Sequence, residues 1–342
     1  MAKTYHCLHN KSTKFLHTLF FCFIVTAFGS VAQAEDVSFR LPIDCKLNED
    51  CWLMNFVDVD PDTGVARDFM CEKRSYEGHK GTDIAIRSMY ELEKGVDVHA
   101  VASGKVLRLR DGEEDSFKTS QEMEAVREAG KECGNGIIID HGEGWLTQYC
   151  HLKKGSLKVK EGDDVYAGQD IAQVGLSGIT EHPHIHLSVL FEGKHIDPFT
   201  GAEINRGCQL GNPKSLWRTS EIKYEPFSLY DAGFIAQKPD FEQISKGNKE
   251  PYPNTESDVL IFWGAYLGAK EGDKISMSIT DPQGNILVNQ DMVQKHVKAR
   301  QYYFVGKKRP ESGWLKGTYR AKIVVSREGL ADQEIQKAHD LY

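Results

Sequence analysis

Between residues 78 and 199, short β-branched and aromatic runs alternate with turn residues, at 98–102, 105–110, 137–140, 145–149, 164–165, 171–174 and 184–190. Half-buried strands of an antiparallel sheet produce this pattern. One stretch breaks it, because Thr119 and Glu122 make a capping box ahead of Met123, Val126 and Ala129, and Gly130 closes the run; this predicts a helix. Its charged flanks, 111–131, mark a surface insertion. Alternation returns at 259–265, 274–280, 286–289, 301–305 and 318–326, between turns such as Asp281-Pro-Gln-Gly284. That spacing predicts a small Ig-like β-sandwich of about seven strands. The chain therefore reads as mainly β, an antiparallel sheet domain at 77–205 followed by a sandwich at 238–342, with a connector of low periodicity at 206–237. Residues 35–76, irregular and holding Pro42, Pro61 and three cysteines, read as a stapled leader segment lying on the first domain.

The N-terminus changes the setting. Lys3, Lys11 and Lys14 precede an apolar run at 15–28 that ends in Ala32-Gln33-Ala34, the pattern of a secretory signal peptide cleaved after Ala34. A run of about 14 residues falls short of the roughly 20 that span a bilayer, and no later segment is apolar enough, so no membrane span is expected after cleavage. The expected location is periplasmic or secreted, with the periplasm favoured because no sortase motif, lipobox cysteine or wall-anchoring repeat is present. Removal of 1–34 takes three lysines and no acids, moving the formal charge from −8 to −11. A mildly acidic chain with no basic stripe makes nucleic acid a poor partner, since phosphate neutralisation supplies most of that affinity.

Cys7 and Cys22 leave with the signal, so Cys45, Cys51, Cys71, Cys133, Cys150 and Cys208 remain. An even number in an exported chain suggests disulfides. Cys133 and Cys150 flank a hairpin turning near 141–144. Pairing Ile139 with Leu146 sets residue 135 opposite 150 and leaves Cys133 within bonding reach, which predicts a Cys133–Cys150 disulfide. A further staple is expected within Cys45, Cys51 and Cys71. Cys-x-x-Cys pairs are absent, so a metal would be held by His and carboxylate.

The histidines carry the candidate chemistry. In His182-Pro-His184-Ile-His186, His184 and His186 share a strand face by alternation. Both can hold a metal, or one can hold it while the other handles protons, and alternation alone does not choose. His182 precedes a proline at the strand start and is open between that face and a loop. Upstream, His79-Lys-Gly-Thr-Asp83 sets an imidazole and a carboxylate four residues apart, with Gly81 expected to permit the turn. Two His and one Asp leave the fourth tetrahedral position of Zn²⁺ open, as catalysis requires. His141 fits a β-turn; His99, His195, His296 and His339 read as ordinary packed or surface residues.

These pieces stand in one order with further motifs: Gly78-His-Lys-Gly-Thr-Asp83, Val98-His-Ala-Val-Ala-Ser-Gly-Lys-Val106, Gly134-Asn-Gly136, Thr147-Gln-Tyr-Cys-His-Leu152, Gly175-Leu-Ser-Gly178 and Pro183-His-Ile-His186. The set resembles the LytM/lysostaphin-type zinc metallopeptidases, a peptidoglycan endopeptidase family. The resemblance implies one Zn²⁺ per chain held by His79, Asp83 and His186. It makes His151 and His184 the catalytic pair beside the metal. It also implies hydrolysis of the crosslinking peptide stems of peptidoglycan, with metal-activated water as the nucleophile. The alternative is a non-catalytic LytM-type regulator that binds and activates other wall hydrolases. A zinc hydrolase with another substrate is a third reading. Two departures touch the groove: Glu181-His182 where the family has a small residue and Gly, and Leu187-Ser188 where it has an aromatic and Glu. The sandwich, with no metal-type cluster, is expected to target or position the enzyme.

Overall fold

The computed structural model describes residues 37–208, 213–218, 222–247 and 251–342. The segment read as a signal peptide lies outside them. A long antiparallel sheet runs in the order Cys51–Asn55, Thr82–Ile86, His184–Phe191, Trp145–Leu152, Asn135–Gly142, Gly104–Arg110, Asp164–Val165, with two short strands, Lys194–Asp197 and Ala202–Glu203, joined beside it. Its third strand, His184–Phe191, shows how the sequence is used. Ile185, Leu187 and Val189 are at most 1% exposed and face a core shared with Ile84, Ile137 and Ile139, while His184, His186 and Ser188 alternate onto the opposite face. A two-stranded sheet, Asp97–His99 with Asp170–Gln173, closes the core from below.

The C-terminal region is the expected Ig-like sandwich, built from Ser228–Ile235, Val259–Ala269 and Lys298–Lys308 in one sheet and Ile286–Val293, Lys274–Thr280, Gly317–Ser326 and Gln333–Leu341 in the other. The insertion helix is Ser120–Glu128, with the Thr119–Glu122 capping box in place and no buried side chain.

Two readings need correction. Residues 228–235, placed in a connector, are a strand buried at every position. Residues 51–55, placed in an irregular leader, are the edge strand Cys-Trp-Leu-Met-Asn, also buried throughout. Both escaped detection for the same reason: an element covered on two faces shows no alternation. Cys51 and Leu53 enter the core of the long sheet, whereas Trp52 and Met54 pack with Ala85, Tyr230, Ile261 and Trp263 in a separate cluster between the two sheets. Val37–Tyr342 is accordingly a single compact unit. Apolar burial holds this junction, at roughly 1.5–3 kcal/mol for each large side chain. The exposed Lys270–Glu72 pair across it contributes at most about 1 kcal/mol.

Disulfides join Cys133 to Cys150, Cys45 to Cys51 and Cys71 to Cys208. The first two match the expected bond and the expected staple. The hairpin register differs by one from the sequence reading, since Leu146 faces Asp140 and Ile139 faces Thr147. A tight turn through Glu143 and Gly144, both at positive φ, with an irregularity at Asp140–Gly142, absorbs the extra residue.

Past the strand Lys194–Asp197, Asp197 is 1% exposed and takes bonds from the Phe199 N–H and the Thr200 hydroxyl. Burial outweighs those bonds and pushes its carboxyl up to about 6. The folded pKa lies above the unfolded value near 3.9, so the contribution of Asp197 to stability is complete below about pH 4 and lost as pH rises through 6, a change of roughly 3 kcal/mol. Asp197→Asn fixes the neutral form. Urea unfolding of both proteins should therefore show the variant gaining on wild type between pH 4 and 7; a stability difference that does not vary with pH rules this out.

Candidate metal centre

The pairing of Thr82–Ile86 with His184–Phe191 sets Asp83 directly across from His186. His79, on the turn entering the first of these strands, closes a triangle: His79 Nε2 is 3.1 Å from Asp83 Oδ1 and 3.1 Å from His186 Nδ1, and His186 Nδ1 is 2.8 Å from Asp83 Oδ1. Donors bound tetrahedrally to zinc at about 2.0–2.1 Å stand roughly 3.3 Å apart, so this N₂O set fits that ion. Gly81 matters here through proximity rather than through the expected turn. A Cβ on it would lie 2.4 Å from His186 Nε2 and 2.8 Å from the Leu187 carbonyl oxygen.

The surroundings fix which nitrogen faces the centre. The His79 Nδ1–H donates to the Phe56 carbonyl, 2.7 Å, leaving Nε2 inward. His186 donates from Nε2 to Ser188 Oγ, 3.0 Å, leaving Nδ1 inward. Asn55 Nδ2 donates to Asp83 Oδ2 at 2.8 Å and so frees Oδ1. Such outer partners orient ligands and tune them. Burial opposes ionisation of Asp83, yet His79 and the other imidazoles outweigh it and hold the carboxyl well below its usual range. Burial likewise lowers His186, despite Asp83, whereas in His79 burial loses to Asp83 and the value rises. An ionised Asp and a neutral His are the states a cation needs.

His151 and His184 stand beside the triangle with rings 4.7 Å apart. His151 is held at φ 60°, a left-handed backbone unusual for a non-glycine, by bonds from its N–H to Cys133 O and from Nδ1–H to Ser177 O. Burial and the neighbouring His184 and His186 keep its pKa well below the usual value. His184 donates from Nδ1 to the His182 carbonyl, 2.8 Å, and its Nε2 lies 3.5 Å from Asp83 Oδ1. His151 lines a cleft of ≈ 890 Å³ that reaches Tyr76, Arg108, Arg127 and His195, and the His184 ring packs beside it.

All five histidines and carboxylates singled out in the sequence meet at this place. Asn55 and Phe56 were missed, because nothing in 35–76 signals a strand. His195, read as an ordinary residue, stands in the cleft wall with its Nδ1 buried and unpartnered. His141 is structural, bonded to Thr147 Oγ1 and the Ser103 carbonyl. His182 turns away from the centre; burial, with the nearby Arg300 charge, holds it well below its usual pKa.

Comparison with known proteins covers the same stretch. Residues 77–198 match Peptidase family M23. This segment is an M23 domain. It is 30% identical over 119 residues to Peptidoglycan DD-endopeptidase ShyB of Vibrio cholerae, covering 35% of this chain and 22% of that protein. It is 31% identical over 121 residues to Murein hydrolase activator NlpD of Escherichia coli, covering 35% and 25%. The matches thus span about a quarter or less of these relatives' length. The M23 domain contains the triangle and both flanking histidines, whereas Asn55, Phe56 and the sandwich lie outside it.

Gly81→Ala should displace the His186 ring and lower zinc affinity at least about tenfold, the usual scale for a disturbed ligand orientation. Competition with a chromophoric chelator measures it, with circular dichroism to confirm folding. Affinity within twofold of wild type would show that the ring is not set by this approach.

Proposed function

We propose that the chain is a zinc-dependent endopeptidase that hydrolyses peptide crosslinks of bacterial peptidoglycan in the periplasm or outside the cell. The observation that carries this reading is the buried His79–Asp83–His186 triangle beside an open cleft, with the His151 and His184 imidazoles next to it. A zinc ion bound there supplies Lewis acidity toward a scissile carbonyl and acidifies water. The protein's own groups then do the following. Asp83, His79 and His186 hold the cation. Of His151 and His184, one would accept the proton of the attacking water and return it to the leaving amine, while the other, with its proton on Nε2, would hydrogen-bond the developing oxyanion. Lys80 and Arg108, exposed in the cleft wall, suit the carboxylates of peptide stems.

The second reading, an activator of other wall hydrolases, is supported by the similar match to NlpD. A retained donor triangle and a retained proton-handling pair favour the enzyme. Incubation of the purified chain with sacculi separates the two: new amino groups, lost on chelation and restored by zinc, are expected. Release only when an amidase is added would overturn the enzyme in favour of the activator.

Variants separate the roles. His186→Ala leaves two protein ligands for a metal that needs at least three, so zinc and activity should both disappear. His184→Ala and His151→Ala should keep zinc and lose about 10²- to 10⁴-fold in rate. Zinc content after dialysis decides, and a zinc-free His184→Ala beside a zinc-replete His186→Ala would reverse the assignment.

A further inference from the structure

The face of the long sheet that carries the centre is shared. At the edge formed by Cys51–Asn55 and Thr82–Ile86 it is covered by the sandwich; from His186 onward it opens into the cleft. Ala85, under the sandwich, is the cross-strand partner of His184. Residues 180–183 therefore lie where covered and open surface meet. They are held from both sides.

His182 is 2% exposed and its ring is fully partnered. Nε2–H donates to the Ile86 carbonyl at 2.8 Å, which makes Nδ1 the acceptor for the Ser245 hydroxyl at 3.2 Å. Ser245 belongs to the sandwich side, on the helix Phe241–Lys246, and is itself 0% exposed. The Tyr230 ring meets His182 edge to face at 5.9 Å, and Arg300 donates to the Glu181 carbonyl at 3.2 Å. The His182 carbonyl is in turn the group that accepts from His184 Nδ1–H, with the Thr180 hydroxyl bonded to the same oxygen at 2.7 Å. His182 thus links the two sides: its ring is anchored to a sandwich side chain, and its own backbone carbonyl holds the imidazole beside the metal triangle.

We propose that Ser245 is a positioning residue for catalysis, and that the C-terminal sandwich, through Ser245 and His182, fixes the orientation of His184. This rests on the peptidase reading above for its consequence in rate, though not for the coupling itself. The sandwich is then part of the catalytic apparatus, beyond any part in targeting. A ring left free to rotate about its Nδ1 bond misaligns Nε2, and small misplacements of a proton-handling group are costly.

The full-length chain tests this. Ser245→Ala removes one hydroxyl and should reduce kcat on a soluble crosslink peptide about tenfold, with KM and zinc content unchanged; Ser245→Thr, which keeps the hydroxyl, should restore kcat. In zinc-loaded protein the imidazole ¹⁵N resonances of His182 and His184 should move in Ser245→Ala and return in Ser245→Thr. A Ser245→Ala protein with wild-type kcat and unmoved His184 resonances overturns the proposal, as does a loss of zinc alongside activity, which would make the contact merely structural. If wild type cleaves nothing while the His184 resonances still respond, the coupling stands and the peptidase reading falls.

Discussion

An ionised carboxylate at 2% exposure is the constraint around which this molecule is arranged. Water cannot reach Asp83 to solvate it, and an uncompensated buried charge costs several kcal/mol. Asn55 satisfies one oxygen; the other faces three imidazoles, of which at least His186 is held neutral by burial. Rings made neutral, as metal ligands must be, aim their lone pairs at the carboxylate and leave a deficit of positive charge. A divalent cation in the triangle removes it, and the spacing of the three donor atoms suits that answer.

The residues around the centre meet this demand for rigidity. Each inward nitrogen is set by a bond from its other nitrogen: to Phe56 for His79, to Ser188 for His186, to Ser177 for His151 and to the His182 carbonyl for His184. Three of these four partners are backbone carbonyls, which belong to strands or fixed turns and cannot rotate away. Ser188 is the exception, a hydroxyl that accepts more weakly than a carboxylate, so His186 relies on the absence of a side chain at Gly81 as well. The Cys133–Cys150 disulfide brackets the left-handed His151 from the adjoining residue, and the Cys133 carbonyl takes its N–H.

The sandwich is coupled to this frame by packing and not by a tether. Trp52, Met54 and Ala85 on one sheet and Tyr230, Ile261 and Trp263 on the other form one apolar cluster. Arg87 adds a guanidinium over Trp52 at 5.1 Å and a bond to the Tyr230 carbonyl. An interface of this kind transmits strain because close-packed interiors yield little. It ends within one cross-strand pair of His184, which places the two halves of the chain in mechanical contact at the centre.

The sequence by itself determined the parts whose signal is local. Alternation gave most strands of both β regions, the Thr119–Glu122 box gave the insertion helix, and the order of motifs from Gly78 to His186 assembled the five polar side chains of the centre. The hairpin brought Cys133 to Cys150, although its register was off by one residue because a bulge leaves no trace in hydrophobic pattern. Tertiary structure alone decided what lies on two buried faces. Residues 51–55 and 228–235 are buried on both sides because each is sandwiched between layers that are distant in sequence, so periodicity is erased there. Asn55 was invisible as a partner of Asp83 because that contact needs 51–55 to pair with 82–86, and Ser245 as a partner of His182 because that contact forms only when the sandwich docks.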